Sequence, residues 1–166
     1  MMHLFQIFMV GLIFSFLGSI PPGTINLSVM QLGLKKQMQG ALLFTLAAVL
    51  VEFVYASVAV KFQMFLTTNT SLTENFQILS ALAMLVLGIF NLSRKGIQDN
   101  QPKPGVDSFK KGLLISLANP LAIPFWLAVT AYLQNQQMII ITGNATFFSY
   151  ILGICAGTFL LLVLVA

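Results

Sequence analysis

Five long apolar stretches restrict the fold more than any other feature of the sequence. Their approximate bounds are Leu4–Leu34, Ala41–Val60, Phe76–Ser93, Gly112–Leu133 and Ala145–Ala166. A helix of about 20 apolar residues crosses a bilayer core about 30 Å thick, so each stretch is long enough to span it. The stretches are apolar at both odd and even positions, unlike the alternating strands of a membrane barrel. The sequence therefore predicts an all-α membrane protein, a polytopic helix bundle with five transmembrane helices.

The composition agrees with this prediction and excludes several functions. Of the 166 residues, 58% are hydrophobic and 7% are charged, whereas about a quarter are charged in a typical soluble domain. The only histidine is His3 and the only cysteine is Cys155, so the spans hold no thiol pair and no histidine for catalysis or metal binding. We expect no cofactor, no metal, no enzymatic activity and no nucleic-acid partner.

The basic residues are distributed unevenly among the loops. Lys35 and Lys36 follow the first stretch, only Lys61 lies elsewhere, and the other five lie between the third and fourth stretches: Arg94, Lys95, Lys103, Lys110 and Lys111. The loops 63–75 and 134–144 carry no basic residue. The positive-inside rule then places the two basic loops in the cytoplasm and the N-terminus outside.

The segment 94–111 is the only long polar connection, and its Pro and Gly residues indicate a flexible linker. We interpret its basic residues as setting the topology and contacting anionic lipid headgroups, with a regulatory role as the alternative. The linker divides the chain into a first transmembrane repeat, 1–93, and a second repeat, 112–166.

The two halves begin with similar sequences. Gly11–Ser19 (GLIFSFLGS) aligns with Gly112–Pro120 (GLLISLANP), with Gly, Leu and Ser at matching positions. Three spans in each half would place the two copies in opposite orientations, which is the 3+3 inverted repeat of many secondary transporters. This architecture requires a sixth helix after Ala166, so we expect the sequence to lack its last span.

The first stretch contains residues that break helices. An unbroken helix over Leu4–Leu34 would be about 46 Å long, more than the bilayer core requires. Pro21 and Pro22 have no backbone N–H, and Gly23 allows the chain to leave helical angles. An unpaired backbone group facing lipid costs several kcal/mol, so we expect the break to face protein or a water-filled cavity.

The residues around this break suggest a binding site. The prolines are expected to leave the carbonyls of Leu17 and Gly18 unpaired. Thr24 is expected to cap a new helix, and Asn26 and Ser28 would add polar groups beside its positive N-terminus. A substrate carboxylate would fit there.

The fourth stretch repeats these residue types. Pro120 is expected to free the carbonyl of Ser116, Pro124 that of Pro120, and Asn119 could bond either the backbone or a substrate. Broken helices at corresponding places in two halves indicate a transport site. The alternative for each break is a proline kink that only shapes packing.

Glu52 is the only acidic residue inside a predicted span. Such a charge at the bilayer centre costs about 2.5–3.5 kcal/mol on insertion scales, which indicates a function. At helical spacing its face carries mostly small residues: Ala41, Thr45, Ala48, Tyr55, Ala56 and Ala59. The opposite face carries Leu43, Leu46, Leu50, Val54 and Val58. Glu52 is therefore predicted to face the bundle interior beside Tyr55, either exchanging a proton or permanently protonated in a hydrogen bond. Trp126 is interpreted as core packing, with substrate stacking as the alternative.

Two segments, Gly18–Glu52 and Phe109–Trp126, resemble the LysE/RhtB family of amino-acid exporters. The resemblance implies a six-helix exporter of amino acids or similar small solutes in the bacterial inner membrane, driven by an ion gradient and often homodimeric. The Asn-Pro pair of that family corresponds to Asn119 and Pro120. Glycines of its first cytoplasmic turn correspond to Gly33 and Gly40.

The Pro-Gly-Pro pattern of the family corresponds to Pro22, Gly23 and Thr24, so its last proline is missing here. We predict a proton-coupled secondary transporter that exports amino acids or similar small solutes across the cytoplasmic membrane. The predicted substrate site comprises Pro21, Pro22, Gly23, Thr24, Asn26, Asn119 and Pro120. Glu52 and Tyr55 are predicted to couple protons. The alternatives are a metal or ion carrier of the same superfamily and a non-transporting membrane assembly subunit.

Overall fold

The structure is a computed structural model that describes residues 2–21, 23–68, 106–119 and 121–166. Within these residues the chain forms six helices and no strand. The helices are α1 (Met2–Gly18), α2 (Thr24–Leu34), α3 (Met38–Thr68), α4 (Val106–Leu117), α5 (Ala122–Asn135) and α6 (Asn144–Leu164). The predicted third span, most of the linker, Pro22 and Pro120 lie outside the described residues.

The described residues contain two or three candidate membrane spans. Two helices, α3 and α6, are long and apolar enough to cross a membrane. The pair α4 and α5 would make a third span, bent by 62° at its break, and α1 is a shorter apolar helix. The all-helical architecture is confirmed for the described residues, but these contain two or three candidate spans, and five are not confirmed.

Helix α3 is longer than its predicted span and has the predicted faces. Its 31 residues correspond to about 46 Å at 1.5 Å per residue, and Glu52 lies near the midpoint. The small residues on the face of Glu52 are buried: Ala41, Thr45, Ala48, Ala56 and Ala59. The opposite face is exposed at Leu46, Leu50, Val54 and Val58. This division confirms the inward orientation predicted for the face of Glu52.

Helices α1 and α6 pack closely through glycines. A methyl group at Gly153 would overlap the carbonyl oxygen of Phe8, and one at Gly157 would overlap that of Leu12. On the other helix, a Cβ at Gly11 would lie 2.7 Å from the carbonyl oxygen of Tyr150. Glycines four residues apart permit such close approach in membrane helices. This helix pair was not predicted, although the four-residue spacing of Gly153 and Gly157 was the available signal.

Side-chain hydrogen bonds reinforce the same interface. The Ser149 hydroxyl donates to the carbonyl of Leu4 at 2.6 Å, and the Ser15 hydroxyl donates to that of Ile154 at 2.7 Å. The hydroxyls of Ser15 and Thr158 lie 2.8 Å apart. Contacts advance in the same direction along both helices, so α1 and α6 run parallel.

Helices α3 and α4 also run parallel and in close contact. A Cβ at Gly112 would lie 2.7 Å from the carbonyl oxygen of Phe44, and one at Gly40 would lie 2.9 Å from the Ser108 hydroxyl. Gly40 therefore contributes to helix packing as well as following the first turn. The contact keeps α4, and the break that follows it, against α3.

The two turns that end α2 and α5 have the same backbone conformation. Lys36 and Gln137 adopt left-handed angles, with φ of 58° and 56°. In each turn the next amide donates to the carbonyl five residues earlier at 2.9 Å, which is the bond pattern of a Schellman helix end. Lys36 and Gln137 are separated by as many residues as Gly11 and Gly112. The internal alignment thus extends to backbone geometry, while the complete inverted repeat remains a prediction.

Candidate functional site

The break between α1 and α2 is closed more fully than the sequence predicted. The carbonyl of Leu17, expected to be unpaired, accepts the N–H of Ile20 at 3.2 Å. The predicted cap at Thr24 is also wrong. Gly23, in an extended conformation, is the N-cap residue without a side-chain bond, and the Thr24 carbonyl accepts the Ser28 hydroxyl at 2.7 Å. The Ser28 hydroxyl therefore bonds within its own helix.

Asn26 holds the backbone of this first break. Its Nδ2 donates to the carbonyl of Ser19 at 2.6 Å and to that of Pro21 at 3.3 Å. Both carbonyls belong to the non-helical residues between the two helices. A single side chain from α2 therefore supplies donors that the broken helix does not provide.

The break between α4 and α5 is also partly closed by its own residues. The Ser116 carbonyl, expected to be free, accepts the N–H of Asn119 at 3.1 Å. The Asn119 Oδ1 accepts the N–H of Leu121 at 3.3 Å. Pro124 lies in the first turn of α5, where an amide has no partner within the helix, so it does not interrupt that helix. Pro120 lies outside the described residues.

Helix α3 contacts both sides of this second break. The Tyr55 hydroxyl donates to the carbonyl of Leu117, the last residue of α4, at 2.7 Å. The Trp126 Nε1–H donates to Glu52 Oε1, close to the start of α5. Since Glu52 and Tyr55 are three residues apart, they project from the same helix face. The two residues predicted to couple protons thus both bond the second broken helix.

An aromatic contact connects the two breaks. A Cβ at Gly18, the last residue of α1, would lie 2.5 Å from the ring of Phe125. The rings of Phe125 and Trp126 meet edge to face, with centroids 5.0 Å apart and an interplanar angle of 77°. A continuous path of contacts therefore runs from the first break through both rings to Glu52.

The surroundings of Glu52 are largely apolar. Trp126 is 1% exposed and belongs to the main buried cluster, with Cys155 of α6 packed against that cluster. Cys155 lies close enough to Glu52 to interact with it electrostatically. Among the residues that the structure describes, no group of three His, Cys, Asp or Glu side chains could hold a metal ion.

The sequence pattern indicated Glu52 and Tyr55 but did not indicate their partners. Trp126 was interpreted as packing, yet it also donates to Glu52. The available signal was the indole N–H, which usually needs an acceptor when it is buried. Phe125 had no comparable signal, because its role depends on the approach of α1 to α5.

An apolar helical bundle with two broken helices and an internal carboxyl group is typical of polytopic membrane transporters. The LysE type translocator family model matches residues 16–166, and the chain belongs to this family. The resemblance described above is thereby confirmed. The family consists of membrane transporters of small solutes and not of enzymes. No curated protein and no solved structure matches the chain.

Proposed function

We propose that this protein exports amino acids or similar small solutes across the bacterial inner membrane in exchange for protons. Membership of the LysE type translocator family supports transport of a small solute. The observation that carries the proton coupling is the bond between Glu52 and Trp126 beside the second break. A carboxyl group there can gain or lose a proton while it contacts the helix that contributes to the substrate site.

The proposed substrate site lies at the two breaks. Its residues are Pro21, Pro22, Gly23, Thr24 and Asn26 in the first half, and Asn119 and Pro120 in the second. The bonds described for the asparagines use Nδ2 of Asn26 and Oδ1 of Asn119. Within the described part of the chain, Oδ1 of Asn26 can therefore accept from an ammonium group, and Nδ2 of Asn119 can donate to a carboxylate. An amino acid carries both groups.

Glu52 and Tyr55 are assigned different parts in this mechanism. Glu52 would take up a proton from one side of the membrane and release it to the other. Tyr55 would keep the end of α4 against α3, because its hydroxyl donates to the Leu117 carbonyl. In the proposed topology the N-terminus lies outside and the Lys35–Lys36 turn lies in the cytoplasm. We also propose that the protein is a homodimer in the bilayer.

Efflux from proteoliposomes tests the proposed function. The full-length protein is reconstituted with a panel of labelled amino acids inside, and a pH gradient is imposed. We expect gradient-dependent efflux of at least one amino acid, and its loss to the level of empty vesicles in Glu52→Gln. Ser57→Ala is the matched control on α3, since its buried hydroxyl has no hydrogen-bond partner among the described residues.

Two results would contradict the proposal. If the folded, inserted protein moves no amino acid in either direction, the substrate class is wrong. If Glu52→Gln retains gradient-driven efflux equal to that of Ser57→Ala, Glu52 is not the coupling group.

A further inference from the structure

Trp126 combines the burial of a core residue with two properties that core packing alone does not require. It is fully buried at 1% exposure, it lies in α5 shortly after the second break, and its Nε1–H donates to Glu52. A buried N–H without an acceptor is costly, so this bond fixes the orientation of the indole ring. The orientation of Trp126 therefore depends on what Glu52 can accept.

The strength of this bond depends on the charge of Glu52. A hydrogen bond to an ionised carboxylate is roughly twice as strong as a bond between neutral groups. When Glu52 is ionised, the indole holds the start of α5 against α3. When Glu52 is protonated, the weaker bond holds the start of α5 against α3 less firmly. This is the part of α5 that follows the second break.

Contacts connect Trp126 to the other half of the chain. Its ring meets Phe125 edge to face at 5.0 Å, and Phe125 packs on Gly18 at the end of α1. Since protein interiors are close-packed, a displaced indole ring must displace its neighbours. A change at Glu52 would thus reach both breaks.

We propose that Trp126 is a positioning residue that converts the protonation state of Glu52 into a change in the relative position of the two broken helices. Its part in transport rests on the proposed function, but the link between Glu52 and Trp126 can be measured without a substrate. Trp126 is the only tryptophan of the chain, so the intrinsic fluorescence of the whole protein reports on this one site.

Titration of other groups could also change the tryptophan emission, so the experiments need controls for them. From α6, Cys155 interacts electrostatically with Glu52, and Tyr150 lies 3.4 Å from the Thr130 hydroxyl. On α3 itself, Tyr55 bonds Leu117. The remaining charged groups of the described helices and turns are Lys35, Lys36, Lys61, Asp107, Lys110 and Lys111. Lys61 follows Glu52 by nine residues on α3, Lys35 and Lys36 lie in the turn after α2, and Asp107, Lys110 and Lys111 lie in the first half of α4.

The first experiment titrates the tryptophan emission of the full-length protein in nanodiscs against pH. We expect a single transition in which the emission shifts to shorter wavelength as Glu52 is protonated, because the indole loses a charged acceptor. Glu52→Gln should show no transition, whereas Cys155→Ser should keep it. A transition that persists unchanged in Glu52→Gln, or no transition in the wild type, would overturn the inference.

The second experiment measures the pH profile of efflux in Trp126→Phe, which keeps an aromatic ring but has no N–H. We expect the profile to move to higher pH by about one to two units, the equivalent of one hydrogen bond to a charged group. Tyr132→Phe is the matched control on the exposed side of α5 and should leave the profile unchanged. If folded Trp126→Phe has an unchanged pH profile of efflux, Trp126 is only a packing residue and the inference is overturned.

The two experiments separate this inference from the proposed function. If the emission transition depends on Glu52 but no amino acid moves, the link is supported and the proposed function fails. If efflux is driven by protons through Glu52 while the emission does not change with pH, the proposed function stands and the link fails.

Discussion

The two breaks share residue types but are stabilised by different parts of the molecule. At the first break, Asn26 of the following helix donates to the carbonyls of Ser19 and Pro21. At the second break, the Asn119 side chain accepts the Leu121 amide locally, and two residues of the neighbouring helix α3, Tyr55 and Glu52, also bond its two sides. The first break is therefore closed locally, and the second depends on α3 as well as on its own residues.

This difference assigns the two breaks different parts in the proposed mechanism. A locally closed break keeps its geometry when neighbouring helices move, as long as Asn26 stays in place. A break held by Glu52 changes when that carboxyl group changes its charge, because the strength of the bond changes. In the proposed mechanism, protonation acts first on the second break and reaches the first break only through the contact of Phe125 with Gly18.

The largest effect is expected at the second break, from Trp126→Ala. Removing a buried tryptophan leaves a cavity and an unpaired carboxyl group, which should lower the free energy of unfolding by about 3–5 kcal/mol. The measurement is far-UV ellipticity during a titration with sodium dodecyl sulfate in mixed micelles. Tyr132→Ala on the same helix, 54% exposed in this structure, is the control and should change stability by less than about 0.5 kcal/mol. Equal losses would show that the second break does not depend on its contact with α3.

At the first break, Asn26→Ala should cost about 1–3 kcal/mol, because two carbonyls lose their donor. The same detergent titration measures this loss. Ser28→Ala is the matched control two residues away, and its expected effect is below about 0.5 kcal/mol, since the hydroxyl bonds only the Thr24 carbonyl of its own helix. If Asn26→Ala is as stable as Ser28→Ala, the bonds of Asn26 do not stabilise the first break.

Tyr55→Phe removes one hydrogen bond between α3 and the second break. It therefore tests directly whether the second break depends on α3 while the first does not. The expected loss of stability is about 0.5–1.5 kcal/mol, the net value of one hydrogen bond. Hydrogen exchange followed by mass spectrometry should show faster exchange in peptides covering 117–121 and no change in those covering 19–23. Faster exchange at both breaks would mean that Tyr55 stabilises the bundle as a whole.

Asn119→Ala is expected to have the smallest effect on stability, at most about 1 kcal/mol, because it removes one bond to a backbone amide, and that bond is long at 3.3 Å. Its effect on transport should be larger if Nδ2 binds the solute carboxylate. We expect a higher substrate concentration for half-maximal efflux, with unchanged folding. Asn119→Asp keeps the acceptor for Leu121 but loses the donor, so it should show the same transport defect with less change in stability.

Much of the helical organisation could be predicted because it depends on local properties of the sequence. Hydropathy identified the stretches that form α1, α3 and α6, since the cost of placing a residue in the bilayer depends on its own side chain. The spacing of small and bulky residues indicated the buried face of α3 and hence the direction of Glu52. Prolines and glycines located both breaks to within a few residues, because their effect on the backbone is intrinsic.

The partners at the breaks could not be predicted, because they depend on which helices meet. The carbonyls of Leu17 and Ser116 were predicted to be unpaired, and in the structure both accept nearby amides. Asn26 was predicted to contact a substrate, and in the structure its amide group bonds the backbone of the break. Small changes in the path of the chain decide such bonds, and residue spacing does not record them.

The sequence by itself determined that this protein is a helical membrane protein with an internal acid and two broken helices. Only the tertiary structure decided that Glu52 pairs with Trp126, 74 residues away, and that Phe125 packs on Gly18. The physical reason is that apolar surfaces of membrane helices resemble one another in hydropathy. Shape and individual hydrogen bonds therefore select which helices pack together.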